Sequence, residues 1–182
     1  LAVADPEKAK RIELVVAGRR TGPQDEILDR LKALPCQLIR EGYVEHKRAI
    51  EIMREADVQC LLLSDVPEAA RVVPAKTFEY LALGRRILSV GPEGEVREIL
   101  SEFPQAASFL PSDTVGIADY LSRVCDESQS GRADVVTPSA ARFDRRTLTR
   151  QLAHVLDQAC GIGTESSPPA GCERCEIMEA TI

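Results

Sequence analysis

The stretch Val73–Leu88, V-P-A-K-T-F-E-Y-L-A-L-G-R-R-I-L, decides how the rest of the chain is read. Pro74 suits a first helical turn, where its missing N–H would have had no partner. Phe78, Leu81 and Ala82 follow at helical spacing and form an apolar stripe for a core. Gly84 then fits the left-handed position that ends a helix. Arg85 and Arg86 lead directly into Ile87–Val90, an apolar β-type run. One polar residue stands out in this helix. Glu79 lies about a turn beyond a helix N-terminus, and such a terminus offers unpaired N–H donors and the positive end of the helix dipole. Phosphate on those N–H groups and hydroxyls on the Glu79 carboxylate together describe a nucleotide.

The neighbouring segments read as alternating strands and helices. Leu1–Lys10 reads as the end of a helix that starts upstream. Ile12–Ala17, closed by Gly18, is a β-branched run with the length of a buried strand. Pro23–Leu34 carries Ile27, Leu28, Leu31 and Leu34 on one helical face, and Pro35 ends it. Gln37–Arg40 is a weaker strand followed by the turn Glu41-Gly42. Glu45–Ala56 has Ala49, Ile50, Met53 and Ala56 at helical spacing. Val58–Leu63 is a continuous apolar strand with Ser64-Asp65 at its carboxyl end. After Ile87–Val90 come a turn at Gly91–Gly94, a short helix Glu95–Glu102 and a strand Ala106–Leu110. A helix follows, capped by Ser112 or Asp113, with Ile117, Tyr120, Leu121 and Val124 as its stripe. A polar linker containing Gly131 and Pro138 leads to a last helix, Arg145–Ala159, expected to turn Leu148, Leu152, Val155 and Leu156 inward. From Gly161 onward the composition implies a tail with little structure. Alternation of this kind implies parallel βαβ units. The fold class is α/β, a Rossmann-like doubly wound parallel sheet with helices on both faces, over residues 1–160, with 161–182 as the tail.

The central string also resembles a known family. P-x-K-x-x-E-Y-L-A-x-G-(K/R)-x-(I/V)-L is similar to the nucleotide-sugar-binding, carboxyl-terminal half of GT-B-fold retaining glycosyltransferases, the family 4-like group that includes enzymes of bacterial cell-surface polysaccharide biosynthesis. The matching residues are Pro74, Lys76, Glu79, Tyr80, Leu81, Ala82, Gly84, Arg85 and Leu88. The resemblance covers roughly Ile12 to Ala159. It implies a six-stranded sheet with the donor at the carboxyl ends of its strands, where Gly18, Gly42, Ser64 and Gly91 fall. It also implies a partner region, an amino-terminal acceptor domain, that is missing here together with the first strand and helix of this domain. The isolated chain is therefore expected to lack transferase activity.

The resemblance assigns Glu79 to the ribose hydroxyls, which agrees with the reading from the residues; a solvated surface Glu is the alternative. Pro74, Ala75, Lys76 and Thr77 surround the expected phosphate site. The N–H groups of Lys76 and Thr77 are the expected donors, assisted by the Lys76 ammonium or the Thr77 hydroxyl. Lys76 as an ordinary surface lysine is the competing reading. Gly42, Tyr43 and Val44 follow the second strand, where the family places backbone contacts to the base. Tyr43 either stacks on the base or packs against the next helix. Ser64 closes the central strand beside the switch point. Many relatives carry a second Glu eight positions before the first; here that position is Arg71, the nearest carboxylate is Glu68, and the sugar contact is left without its usual residue. No residue is assigned as catalytic.

Composition narrows the function classes further. Of 182 residues, 44% are hydrophobic and 29% charged, as in soluble globular proteins. A net charge of -6 argues against nucleic-acid binding, which needs a basic surface. No apolar run approaches the roughly 20 residues that span a bilayer, so no transmembrane segment is expected. No signal peptide is visible, and a Leu at position 1 suggests that an amino-terminal part lies outside the sequence. Six cysteines are present. Cys36, Cys60 and Cys125 lie in apolar segments and read as small hydrophobes. Cys172 and Cys175 form a C-x-x-C, but Cys160 is the only nearby further candidate, and a zinc site needs four ligands. No cofactor or metal is expected, only a nucleotide-diphosphate sugar as donor substrate. A reducing cytoplasmic setting fits these cysteines, with the inner membrane surface reached through the missing domain. The reading from another class is a non-catalytic α/β module that binds a nucleotide or a protein, and Arg71 in place of the second Glu favours it.

Overall fold

A computed structural model describes residues 1–129 and 140–161. The Cys172-x-x-Cys175 pair, the Gly131–Pro138 linker and the tail beyond residue 161 lie outside the described residues. The described chain forms two compact units, one ending at Ala140 and the other beginning at Ala141.

The first unit alternates strands and helices as the sequence implies. A short helix α1 (Pro6–Ala9) precedes β1 (Glu13–Ala17), α2 (Gly22–Leu31), β2 (Gln37–Gly42) and α3 (His46–Glu55). Then come β3 (Val58–Leu62), a 3-10 turn (Pro67–Arg71), α4 (Ala75–Leu83) and β4 (Arg86–Val90). The unit ends with α5 (Glu95–Ser101), β5 (Ala106–Phe109) and α6 (Thr114–Gln129). Local chemistry sets several boundaries. Pro74 stands as N-cap of α4, and Gly84 closes that helix in the left-handed region at φ 65. Of the two expected caps for α6, Asp113 is the one used: its Oδ1 accepts from the Gly116 N–H at 2.9 Å. Replacing it, Asp113→Ala, is expected to lower stability by about 1 kcal/mol in a urea melt, the usual cost of a lost N-cap.

The strands pair in parallel but not in one continuous sheet. β1 pairs with β2, from Glu13 opposite Gln37 to Ala17 opposite Gly42, with an irregularity between Val16 and Ala17. β3, β4 and β5 form a second sheet in that order. The Rossmann-like α/β class holds; the sheet is split into two and three strands. β4 is the middle strand of the larger sheet and is buried on both faces, as central parallel strands are. On one face Leu88 packs with Tyr120 and Val124 of α6, flanked by Val58, Val90, Ala107 and Phe109. Ile87, fully buried, points to the opposite face with Ser89. α4 contacts β3 and α5 contacts β5, and Leu81, Val96, Leu100 and Phe103 complete the buried apolar set near them.

Burial also sets the behaviour of the tyrosines. The hydroxyl of Tyr120 is buried without a hydrogen-bond partner, and desolvation raises its pKa above the usual 10.0. Burial raises Tyr80 in the same direction. A phenol whose native pKa lies above its unfolded one binds more protons folded than unfolded, so the native state loses stability as pH rises through about 10. Alkaline titration is expected to show Tyr80 and Tyr120 ionising late in the ultraviolet difference spectrum, with stability in urea falling over the same range.

Several side chains lie differently from the expectation. Cys60 is exposed, not packed as a small hydrophobe. The helix expected over Pro23–Leu34 ends at Leu31, so Leu34 lies beyond it, and both Ile27 on α2 and Leu34 are exposed. The second unit contains α7, which spans Arg145–Ala159 as the periodicity implies, capped by Asp144, whose carboxylate accepts from the Thr147 N–H at 3.1 Å. Its stripe is not turned inward: Leu148, Leu152, Val155 and Leu156 are each about half exposed.

Candidate functional site

In parallel βα units every helix begins where a strand ends, so helix N-termini and strand carboxyl ends gather on one edge of the fold. Here that edge carries Gly18 after β1, Gly42 after β2, Leu63-Ser64 after β3 and Gly91 after β4. The candidate residues fall on it in two groups.

The first group belongs to the β1–β2 sheet. The Gly18 N–H donates to the Gly42 carbonyl at 2.6 Å, joining the loops that follow the two strands. Both glycines have positive φ, and neither has another atom near the place a Cβ would take. The Arg19 guanidinium lies 5.1 Å from the centre of the Tyr43 ring, a cation–π contact across the joined loops. Tyr43 is 71% exposed, so its ring lies in the open. Packing against α3 would have buried it. Val44 beside it is half-buried. Next in the loop, Arg20 Nε donates to Asp25 Oδ1 at 2.8 Å. Arg40 of β2 is held to Asp29 of α2 at 2.7 Å, so the first pair ties the loop to α2 and the second ties β2 to it. The sequence reading passed over Arg19, because its side-chain contact depends on the parallel pairing of β1 and β2.

The second group belongs to the β3 side. Ser64 is exposed at the carboxyl end of β3. The 3-10 turn Pro67–Arg71 then carries the chain to Pro74 and α4. The N–H groups of Ala75 and Lys76 precede the first bond of the helix and point from its positive end. Thr77 departs from the expectation. Its N–H donates to the Pro74 carbonyl at 2.9 Å, and its side chain is fully buried with an unpartnered hydroxyl. The helix opens with a tight i→i+3 turn that draws Thr77 into the core, so neither its N–H nor its hydroxyl is presented at the surface. That leaves Ala75 and Lys76 as the available backbone donors. Glu79 is one turn on, and its Oε2 receives the Lys76 ammonium at 2.5 Å. Both side chains are partly exposed, at 48% and 34%. Lys76 is thus an exposed lysine paired with Glu79 across one helical turn, as surface i,i+3 pairs are. The second carboxylate oxygen of Glu79 has no protein partner among the described residues.

No hydrogen bond or ion pair joins the two groups among the described residues. Arg71 and Glu68, on the turn between β3 and α4, are both exposed. Among the described residues no three His, Cys, Asp or Glu side chains gather as a metal site would need, and no helix is long and apolar enough to cross a membrane.

No protein-family model matches the sequence, and no curated protein matches it. Solved structures do. AviGT4, a glycosyltransferase involved in avilamycin A biosynthesis, superposes with a TM-score of 0.56 at 17% identity, over 82% of this chain and 43% of its own. The fold is similar to that of under half of this neighbour. HepE of Anabaena, solved in complex with UDP, superposes with a TM-score of 0.52 at 14% identity, over 81% of this chain and 41% of its own. The chain thus spans less than half the length of each neighbour. At these identities the likeness is one of fold: α/β, with parallel sheets flanked by helices, as in the Rossmann-like half of a GT-B-type glycosyltransferase.

Proposed function

We propose that this chain is the donor-binding part of a glycosyltransferase that moves a sugar from a nucleotide-diphosphate sugar to an acceptor. One observation carries the reading: the start of α4 presents amide donors from Ala75 and Lys76, and one turn later the same helix presents a carboxylate with an unoccupied oxygen on Glu79. Diphosphate oxygens suit the first and ribose hydroxyls the second. The Lys76 ammonium adds a cation beside the phosphates and would stabilise the leaving charge as the glycosidic bond breaks. Tyr43, with Gly42 and Val44, is assigned to the base, and Ser64 to the margin of the site. The likeness to two glycosyltransferases, one of them solved with UDP, supports this reading at the level of fold.

The finer assignment follows the resemblance of the α4 string. It comprises a retaining, family 4-like hexosyltransferase in cell-surface polysaccharide biosynthesis, without metal or cofactor. It works in the cytoplasm at the inner membrane surface, with an acceptor domain outside this sequence. The isolated 182 residues are expected to bind donor and to transfer nothing.

The test is an amide NMR titration of the chain with UDP and then GDP. Shifts confined to Gly42–Val44 and Pro74–Glu79 are the expected result, and the stronger ligand names the base. A dispersed spectrum that ignores both nucleotides would favour the other reading, a non-catalytic α/β module for protein contact. Arg71 supports that reading, because it puts a cation where relatives place a second carboxylate.

A further inference from the structure

Three arginines around the β1–β2 loops are held by carboxylates: Arg20 by Asp25, Arg40 by Asp29 and Arg48 by Glu41. Arg19 is not. Among the described residues it makes no hydrogen bond or ion pair, and its guanidinium lies over the Tyr43 ring, 5.1 Å from the centre. A second such contact in the same unit shows the difference. Arg123 lies 5.6 Å from the centre of the Tyr120 ring, but Tyr120 is buried with Leu88 and Phe109, so that guanidinium seals a core. Arg19 seals nothing. It meets one face of a ring that is 71% exposed.

The backbone on both sides of this contact is fixed. The bond from the Gly18 N–H to the Gly42 carbonyl, at 2.6 Å, brings the residues that follow, Arg19 and Tyr43, side by side. The Arg20–Asp25 pair ties the chain after Arg19 to α2. After Tyr43, Val44 is half-buried and α3 starts at His46. What the backbone leaves open is the direction of the Tyr43 side chain, which at an exposed position has about three staggered choices at χ1. The guanidinium selects among them, because a cation over a ring at an exposed site favours that arrangement by a factor of about 2–5. Held this way, the ring stands at the carboxyl end of β2 with one face on Arg19 and the other toward solvent. Chain neighbours apart, nothing lies within 4 Å of the place a Cβ would take at Gly18 or Gly42, so the glycine pair beside the ring is uncovered.

We propose that Arg19 is a positioning residue that acts through Tyr43: it holds the ring as a platform, and the base of the nucleotide stacks on the free face. The inference rests on the donor-binding reading and adds to it a side chain that works without touching the ligand. Stacking needs only a flat π surface, and the free face of Tyr43 supplies one whose direction is set before the ligand arrives. The ordering cost is then met by the protein and not by binding.

The experiment follows UDP, uridine and inorganic pyrophosphate by NMR with the 182-residue chain and with Arg19→Met, Arg19→Lys and Tyr43→Ala. On the parent, the H5 and H6 signals of the uracil should move upfield through the ring current of Tyr43. Arg19→Met should at least halve that shift and lower the affinity for UDP and uridine alike by about 3-fold, while pyrophosphate, which has no base, should change by less than about 2-fold. Arg19→Lys keeps the cation and should recover part of the shift. Tyr43→Ala should abolish it and lower the affinity for UDP by roughly 5- to 100-fold. If UDP binds the parent with no upfield shift, the donor reading stands and the platform falls. If Arg19→Met leaves the shift intact, the ring needs no cation and the role of Arg19 falls. Equal losses for UDP and pyrophosphate would put Arg19 on the phosphates directly and overturn its action through Tyr43. If the parent binds neither UDP nor uridine nor GDP, the donor reading itself fails and takes the platform with it.

Discussion

Gly94→Ala is expected to destabilise the chain by about 2–5 kcal/mol, combining overpacking with a strained backbone. Gly94 joins β4 to α5 at φ 157 and ψ -163, a conformation essentially confined to glycine. A Cβ there would lie 2.1 Å from the Ala70 carbonyl oxygen and 2.7 Å from its carbon. Those atoms are backbone, so no side chain can swing aside. The turn Pro67–Arg71 would have to move off the start of α5, taking the buried Ala69 with it. The control is Gly22→Ala, where nothing lies within 4 Å of the added carbon, and the effect should stay within about 0.5 kcal/mol. Urea melts of both variants make the comparison. Equal stability of the two would mean that the turn and the start of α5 are not in contact in solution. Because that turn leads to Pro74, Gly94→Ala should also loosen the start of α4 and weaken any ligand held there.

The two ends of this contact show what was legible in the sequence. Pro74 and Gly84 bound their helix by local stereochemistry, which is why the limits of α4 could be read directly, while α7 was legible from the spacing of its apolar residues. Gly94 is different. It looks like an ordinary turn glycine, and its reason for being glycine lies 24 residues earlier, at Ala70. The 3-10 turn itself left no periodic signal to read. The same division runs through the site. Glu79 and Lys76 are three residues apart on one helix, so their pairing follows from helical geometry. Thr77 looked equally available, yet a tight first turn draws it inward. Arg19 and Tyr43 meet only because β1 and β2 are neighbours, and strand order is not a local property. The split of the sheet escaped for that reason too, and with it the exposure of Cys60, which has the composition of a core residue and lacks the layer that would make it one. On α7, a stripe at helical spacing identified the helix correctly and its burial wrongly. Periodicity shows which residues share a face, while the covering partner has to be seen.

Glu79→Gln is expected to weaken UDP binding by roughly 10- to 100-fold, the worth of a charged acceptor for hydroxyl donors. The fold should survive, because the Lys76–Glu79 pair lies partly in solvent, and such pairs contribute about 0–1 kcal/mol. Glu79→Asp separates charge from reach: it keeps the carboxylate but draws it back by one methylene, so it should lose most of the affinity as well. Lys76→Met gives the complementary result. It frees Glu79 from its 2.5 Å partner and removes a cation beside the phosphates, so binding should weaken and depend less steeply on salt. The amides of Ala75 and Lys76 would remain as donors, so the loss should be smaller for uridine, which has no diphosphate, than for UDP. Calorimetry with UDP and uridine on the three variants separates these effects. If Glu79→Gln binds UDP as the parent does, the ribose assignment falls. If uridine is then still held and Lys76→Met weakens UDP alone, the site binds phosphate at the helix start and takes its hydroxyl contacts from somewhere other than α4.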